Sequence, residues 1–185
     1  MRRTIVEPAD LSGLPLDDLK SWLGITRPNE DQTLQGLLAT SLAQCEAMTG
    51  LCPLAQTIEE RVPAQASLSA LSSRPVQSLV RAELIEHNGV RSSLDGSSYE
   101  LQVATDQSAS FELKNVGDGQ AVAVQIRVGI ADTWADVPAA LRQGIVRLAA
   151  HLYTDRGDTA RSSDLRALPA TVVALWLPWR RLGLT

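Results

Sequence analysis

Only two cysteines, two lysines and one phenylalanine occur among the 185 residues, and aromatic side chains make up 4% of the chain. Cys45 and Cys52 are too few for a disulfide framework, or for a structural zinc site without several added ligands. Cys45 lies in a helical pattern beside Ala43 and Ala47 and reads as a small buried residue, so neither cysteine is assigned a chemical role. A basic excess is also missing: the formal net charge is −4. Proteins that grip nucleic acid through phosphates carry clustered Lys and Arg, and no such stripe occurs here. Lys20 and Lys114 are the only lysines among 17 basic residues. That arginine bias has two readings, genomic base composition or planar bidentate pairing at protein interfaces. No apolar run approaches the ~20 residues that span a bilayer, and the N-terminus lacks a signal peptide's apolar stretch, so no membrane partner is expected and the cytoplasm of the producing cell is the default location. With 44% hydrophobic and 21% charged residues, neither disorder nor a fibrous class is favoured.

What is present is clearest between Asp136 and Arg156. Asp136 suits a helix cap, Pro138 a first turn, and Leu141, Ile145, Leu148 and Leu152 recur on one face. Gly144, in the middle of this helix, stands where Ala would be favoured by about 1 kcal/mol, which predicts close approach of another element. Two earlier helices are predicted, Pro15 to Gly24 and about Asn29–Asp31 to Thr49, with Gly24 and Gly50 as stops. The apolar stripe of the second is Leu34, Leu37, Leu38, Leu42, Cys45 and Met48. Between about Gln56 and Ile130 the period shortens to two. Val122, Val124, Ile126, Val128 and Ile130 alternate, Leu79–Ile85 runs into a His87-Asn88-Gly89-Val90 hairpin turn, and Tyr99–Val103 and Ser110–Leu113 are short strands. A last short helix opens at Pro169, carries Val172, Val173 and Trp176, and is interrupted by Pro178.

The expected class is therefore α+β, a bundle frame of about four helices with an inserted antiparallel sheet or sandwich. Residues 1–55 form its N-terminal helical part, 56–130 the β-rich insertion and 131–185 the C-terminal helical part with its tail, together one composite domain.

Few residues invite chemistry. His151 with Tyr153, Asp155 and Asp158 is the one grouping of interest, but His151 and Asp155 are four apart on a helix and can simply pair on its surface. His87 decorates a hairpin tip, and Gly117-Asp118-Gly119 is a turn with too few features for a phosphate loop. Zinc-helix, phosphate-loop and nucleophile-elbow motifs are absent. No catalytic, cofactor-binding or metal-binding residue is assigned and no enzymatic activity is expected. The tail Trp176-Leu177-Pro178-Trp179-Arg180-Arg181 concentrates residue types enriched in interface hot spots. Its indoles can equally fold back onto the chain's own core, and both readings stand at this stage.

Taken in order, several segments resemble the head-to-tail connector (adaptor) family of tailed phages and gene transfer agents, in its longer members with a β-rich insertion. They are Leu16-Asp-Asp-Leu-Lys-Ser-Trp-Leu23, Asn29-Glu-Asp31, Ala47-Met-Thr-Gly-Leu-Cys-Pro-Leu-Ala-Gln-Thr57, Arg74-Pro-Val-Gln-Ser-Leu79, Val128-Gly-Ile-Ala-Asp-Thr-Trp134 before Val137-Pro138, His151-Leu-Tyr-Thr-Asp-Arg156, and Leu168-Pro169 with Pro178-Trp-Arg180. Ala135 departs from the family, which often has a glycine-bearing loop there. The resemblance implies a structural virion protein of the particle neck, forming a twelve-fold homo-oligomeric ring under the portal. Such a ring extends the DNA channel without sequence-specific binding and offers a docking surface to a stopper or tail-terminator protein. On that footing Trp176, Pro178, Trp179, Arg180 and Arg181 are expected at the portal protein, and Arg142 and Arg147 at neighbouring subunits. The alternative is a monomeric α+β module binding a protein or a carbohydrate.

Overall fold

The computed structural model describes residues 2–65, 67–105, 107–114, 119–155 and 168–180. In chain order the elements are β1 (Arg2–Glu7), α1 (Leu16–Leu23), α2 (Asp31–Thr49), β2 (Gln56–Pro63), β3 (Ser69–Ala70), β4 (Val76–Glu86), β5 (Arg91–Ser93), β6 (Tyr99–Val103), β7 (Ala109–Leu113), β8 (Gly119–Val128), α3 (Ala139–Asp155) and α4 (Ala170–Trp176). Short 310 turns occur at Pro28–Glu30, Gly96–Ser98, Trp134–Asp136 and Leu177–Trp179. The class is α+β. The chain forms two compact units, residues 1–10 with 54–130, and residues 11–53 with 131–185. The first ten residues thus belong with the strands, not with the N-terminal helices.

In the β unit, the segment with the strictest alternation becomes the middle of the larger sheet. Its five antiparallel strands run β1-β2-β8-β4-β5, and a second sheet runs β3-β7-β6. Val122, Val124, Ile126 and Val128 of β8 are completely buried. On the same face Ile58 pairs with Ile126, Val62 with Val122, and Ala82 with Val124. Period-two geometry sends Thr57, Glu59, Arg61, Gln125 and Arg127 to the other face. The smaller sheet buries Ala109, Phe111 and Leu113 in alternation, and Phe111 stacks on Tyr99 at 5.4 Å between ring centroids.

Glu60 breaks the apolar pattern. It lies in register with Val124 on the buried face and is 0% exposed. Its carboxylate accepts hydrogen bonds from the Ser72 amide (2.8 Å), the Ser72 hydroxyl (2.9 Å) and the Ser73 amide (2.8 Å). A buried carboxylate is tolerated only when so satisfied, and these bonds fix the loop before β4. The His87–Val90 hairpin forms as expected, with Gly89 at φ 84° and the Asn88 side-chain oxygen accepting from the Val90 amide at 2.8 Å. The expected turn at Gly117-Asp118 lies outside the described residues.

In the helical unit, Gly24 and Gly50 end α1 and α2 with φ of 69° and 72°, the left-handed conformation that costs glycine least. The buried line of α2 is Leu34, Leu38, Ser41, Cys45 and Thr49, while Leu37, Leu42 and Met48 are only half-buried. Small polar residues occupy the closest line, and Thr49 satisfies its hydroxyl on the Cys45 carbonyl at 2.7 Å. α3 buries Leu141, Ile145 and Leu148, with Leu152 half-buried. Tyr153 near its end donates to the Glu30 carboxylate at 2.5 Å. Asp136 does not cap α3. It sits in a 310 turn one step earlier, accepting from the Thr133 hydroxyl at 2.7 Å, and the Pro138 carbonyl takes the first helical amides, those of Leu141 and Arg142.

α4 explains Gly144. The indole of Trp176 lies where a Cβ on Gly144 would fall, colliding with its Nε1, Cε2 and Cδ1. Trp176 is 0% exposed, and its Nε1 donates to the Leu141 carbonyl at 3.4 Å. Val172, one turn earlier, is equally buried. An indole carries the largest apolar area of any side chain, so this insertion is the strongest tie between α3 and α4.

Candidate functional site

His151 and Asp155 pair at 3.2 Å between Nε2 and Oδ2, both half-buried on α3. That is a surface i,i+4 pair, with no third group orienting it among the described residues. Among the described residues no group of three His, Cys, Asp or Glu side chains could hold a metal ion, and no helix is long and apolar enough to cross a membrane. Burial, reinforced by the Glu46 charge, pushes the Cys45 thiol up to about 12, so it stays protonated and unreactive. Cys52 is buried too, its thiol 3.4 Å from a Glu46 carboxylate oxygen.

The helical unit carries its distinctive chemistry on two flanks of α1. On one, Trp22, Arg147, His151, Pro169, Thr171 and Val172 line a groove of about 380 Å³. The Arg147 guanidinium sits 5.7 Å from the Trp22 ring centroid, within cation–π range. Trp22 is 56% exposed, unusual for the residue type richest in apolar area. Arg147 has no carboxylate partner among the described residues, and its buried Nε makes no hydrogen bond there. Arg142, half-buried on the same helix, also has an Nε without a partner among them. On the other flank, Leu11, Ser12, Leu14, Pro15, Leu16, Asp17, Asp18, Gln35 and Trp134 line a second groove of about 400 Å³.

The C-terminal segment divides. Trp176 is an internal residue of the helical unit, not part of a free surface, because Gly144 leaves a notch that only the indole fills. Beyond it, Leu177 is 54% exposed, Pro178 and Arg180 are exposed and Trp179 is half-buried in the closing 310 turn. Arg181 lies outside the described residues.

The polar face of the larger sheet is different in kind, because its charges are matched within the unit. Arg91 makes two bonds to Glu59, at 2.7 and 2.9 Å, and reaches Glu83 at 3.3 Å. Glu83 also holds Arg81 at 3.0 Å, and Gln125 donates to Glu59 at 3.3 Å. Hydrogen bonding to Arg91 holds the Glu59 carboxyl below the usual carboxylate range despite its burial, and the same contact raises Arg91. This network was not read from the sequence, since its members come from four strands, β2, β4, β5 and β8, and meet only through register.

No protein-family model and no curated protein sequence matches the chain. Among solved structures it is similar to a chain in the neck of an empty gene transfer agent particle computed with C6 symmetry, at TM-score 0.82 and 22% identity, covering 100% of this chain and 98% of that one. A chain of the neck of a native particle computed with C12 symmetry matches at TM-score 0.80 and 21% identity, with the same coverage. A chain from the virion of a native gene transfer agent particle matches at TM-score 0.78 and 22% identity, also over 100% and 98%. The fold of the whole chain, strands and helices together, is the fold of these neck and virion chains.

Proposed function

We propose that this protein is a non-enzymatic neck component of a phage-like or gene transfer agent particle, a head-to-tail adaptor. In this reading twelve copies form a ring beneath the portal protein, extend the channel through which DNA passes without being read, and present a surface to a stopper or tail-terminator protein. The observation that carries it is the match of the whole chain to neck chains over 98% of their length. The sixfold and twelvefold symmetries of those necks support a ring. A chemistry poor in catalytic groups and a net charge of −4 accord with a conduit that must not retain DNA.

The contact with the portal is assigned to the segment that follows Trp176, namely Leu177, Pro178, Trp179, Arg180 and Arg181, with Trp176 anchoring it from inside. Arg142 and Arg147 belong to contacts with neighbouring subunits. The experiment is complementation of producing cells that lack the chain. Loss of the chain should leave DNA-filled heads without tails, and the wild-type chain should restore joined particles, with a ring of copies at the neck by electron microscopy. A chain ending at Trp176 should keep its fold but fail to join heads. The cut must fall there, because Val172 and Trp176 are core residues. Normal head joining by that shortened chain would refute the portal contact, and tailed particles made without the chain would refute the adaptor role.

A further inference from the structure

In a closed ring each subunit meets its two neighbours through two different surfaces, which must complement each other. The two grooves beside α1 have that relation. Asp17 and Trp22 are five residues apart, so their directions differ by about 140° around the helix, and Leu19 between them faces inward. One groove offers an exposed indole with Arg147 over it. The other offers Asp17 and Asp18 in the first turn of α1, beside Leu11 and Trp134.

The charges match and are open. Asp17 and Asp18 are exposed and make no ion pair among the described residues, whereas Lys20, one turn on, is already held by Asp31 at 2.7 Å. Arg147 likewise has no carboxylate there, while His151 beside it is occupied by Asp155. Asp17, Asp18 and Arg147 are of the types that steer and register interfaces, and exposed Trp22 supplies the apolar anchor.

We propose that the Trp22–Arg147 groove of one copy receives the acidic first turn of α1, Asp17 and Asp18, from the next copy. The inference rests on the ring reading above and adds to it which two surfaces meet. Arg147 pairs with the incoming carboxylates at the mouth of the groove, and Trp22 packs against the start of the neighbour's α1. Because donor and acceptor surfaces lie on opposite flanks of the same helix, the contact propagates from copy to copy in one direction.

The test is charge reversal in chains supplied to cells lacking their own copy, read as copies per head in purified particles. Arg147→Glu alone should lose the ring, since a glutamate then faces Asp17 and Asp18. The pair Asp17→Arg with Asp18→Arg should lose it as well. Supplying both variants together should restore it, because the altered groove of one accepts the altered turn of the other and the remaining surfaces are unchanged. Melting of each purified variant near the wild-type temperature separates lost pairing from lost folding. If either variant alone still gives wild-type rings, or the mixture fails although both fold, this pairing is overturned and the ring reading stands. If the wild-type chain itself gives no ring, both are overturned.

Discussion

The polar face of the larger sheet and the outer flanks of α1 use charge in opposite ways. On the sheet, Arg91, Glu59, Glu83, Arg81 and Gln125 satisfy one another across four strands. On the helical unit, Arg147, Asp17 and Asp18 have no ion-pair partner among the described residues, and Trp22 is 56% exposed beside Arg147. A closed network adds to the stability of the unit that contains it, whereas open charges beside an exposed indole contribute only when another chain arrives. The interiors differ as well: the helical unit is keyed by an apolar wedge, Trp176 in the Gly144 notch, and the β unit by a polar one, Glu60 under the Ser72–Ser73 loop.

That contrast can be broken at graded cost. The largest effect is expected from Trp176→Ala, which empties the notch over Gly144 and should cost about 3–5 kcal/mol. Amide hydrogen exchange should rise first in α3 and α4, and an unchanged melting curve would show that the wedge does not hold the helices. Glu60→Gln comes next. It keeps the shape but leaves one oxygen for three donors, and should cost about 1–3 kcal/mol. Here exchange should rise in β2 and the 71–73 loop and not in α3, and a uniform rise across the chain would argue against separate keys.

The smallest effect is expected from Arg91→Ala, under about 1 kcal/mol at neutral pH, because Arg91 is about a third exposed. Its signature is pH dependence. Glu59 has a lowered folded pKa, so its contribution is present above the ordinary carboxylate value and disappears as pH falls through the lower folded value. Acid unfolding followed by circular dichroism should therefore lose part of its steepness in that window in the variant. An identical acid limb in both proteins would show that the pair does not contribute.

Much of this was legible in the residues. Gly24 and Gly50 marked the ends of α1 and α2 because few other residues adopt a positive φ, and the valines of β8 announced a strand buried on one face. Gly144 announced a close neighbour, which proved to be Trp176. Other features were hidden. β1 and β2 escaped notice because Arg2-Arg-Thr-Ile-Val-Glu7 and Gln56-Thr-Ile-Glu-Glu-Arg-Val-Pro63 carry charges that interrupt the apolar alternation of a strand. Asp136 suited a helix cap by residue type but lies two residues before the cap position. Trp22, which lines the groove shared with Arg147, carries no local sign of its surroundings. Its exposure is visible only once α1 has turned its leucines inward.

The sequence by itself determined the α+β class, the stops of the first two helices, the central strand and the lack of a catalytic motif, because each depends on periodicity or on local backbone preference. Only the tertiary structure decided which of the tail's aromatics are internal and which charges are answered. Trp176 and Trp179 are alike as residues, and what separates them is a missing side chain 32 positions upstream at Gly144, which leaves the space on α3 that the Trp176 indole occupies. Burial and pairing are properties of what else arrives at the same point in space, and a linear chain does not carry that information at any single position.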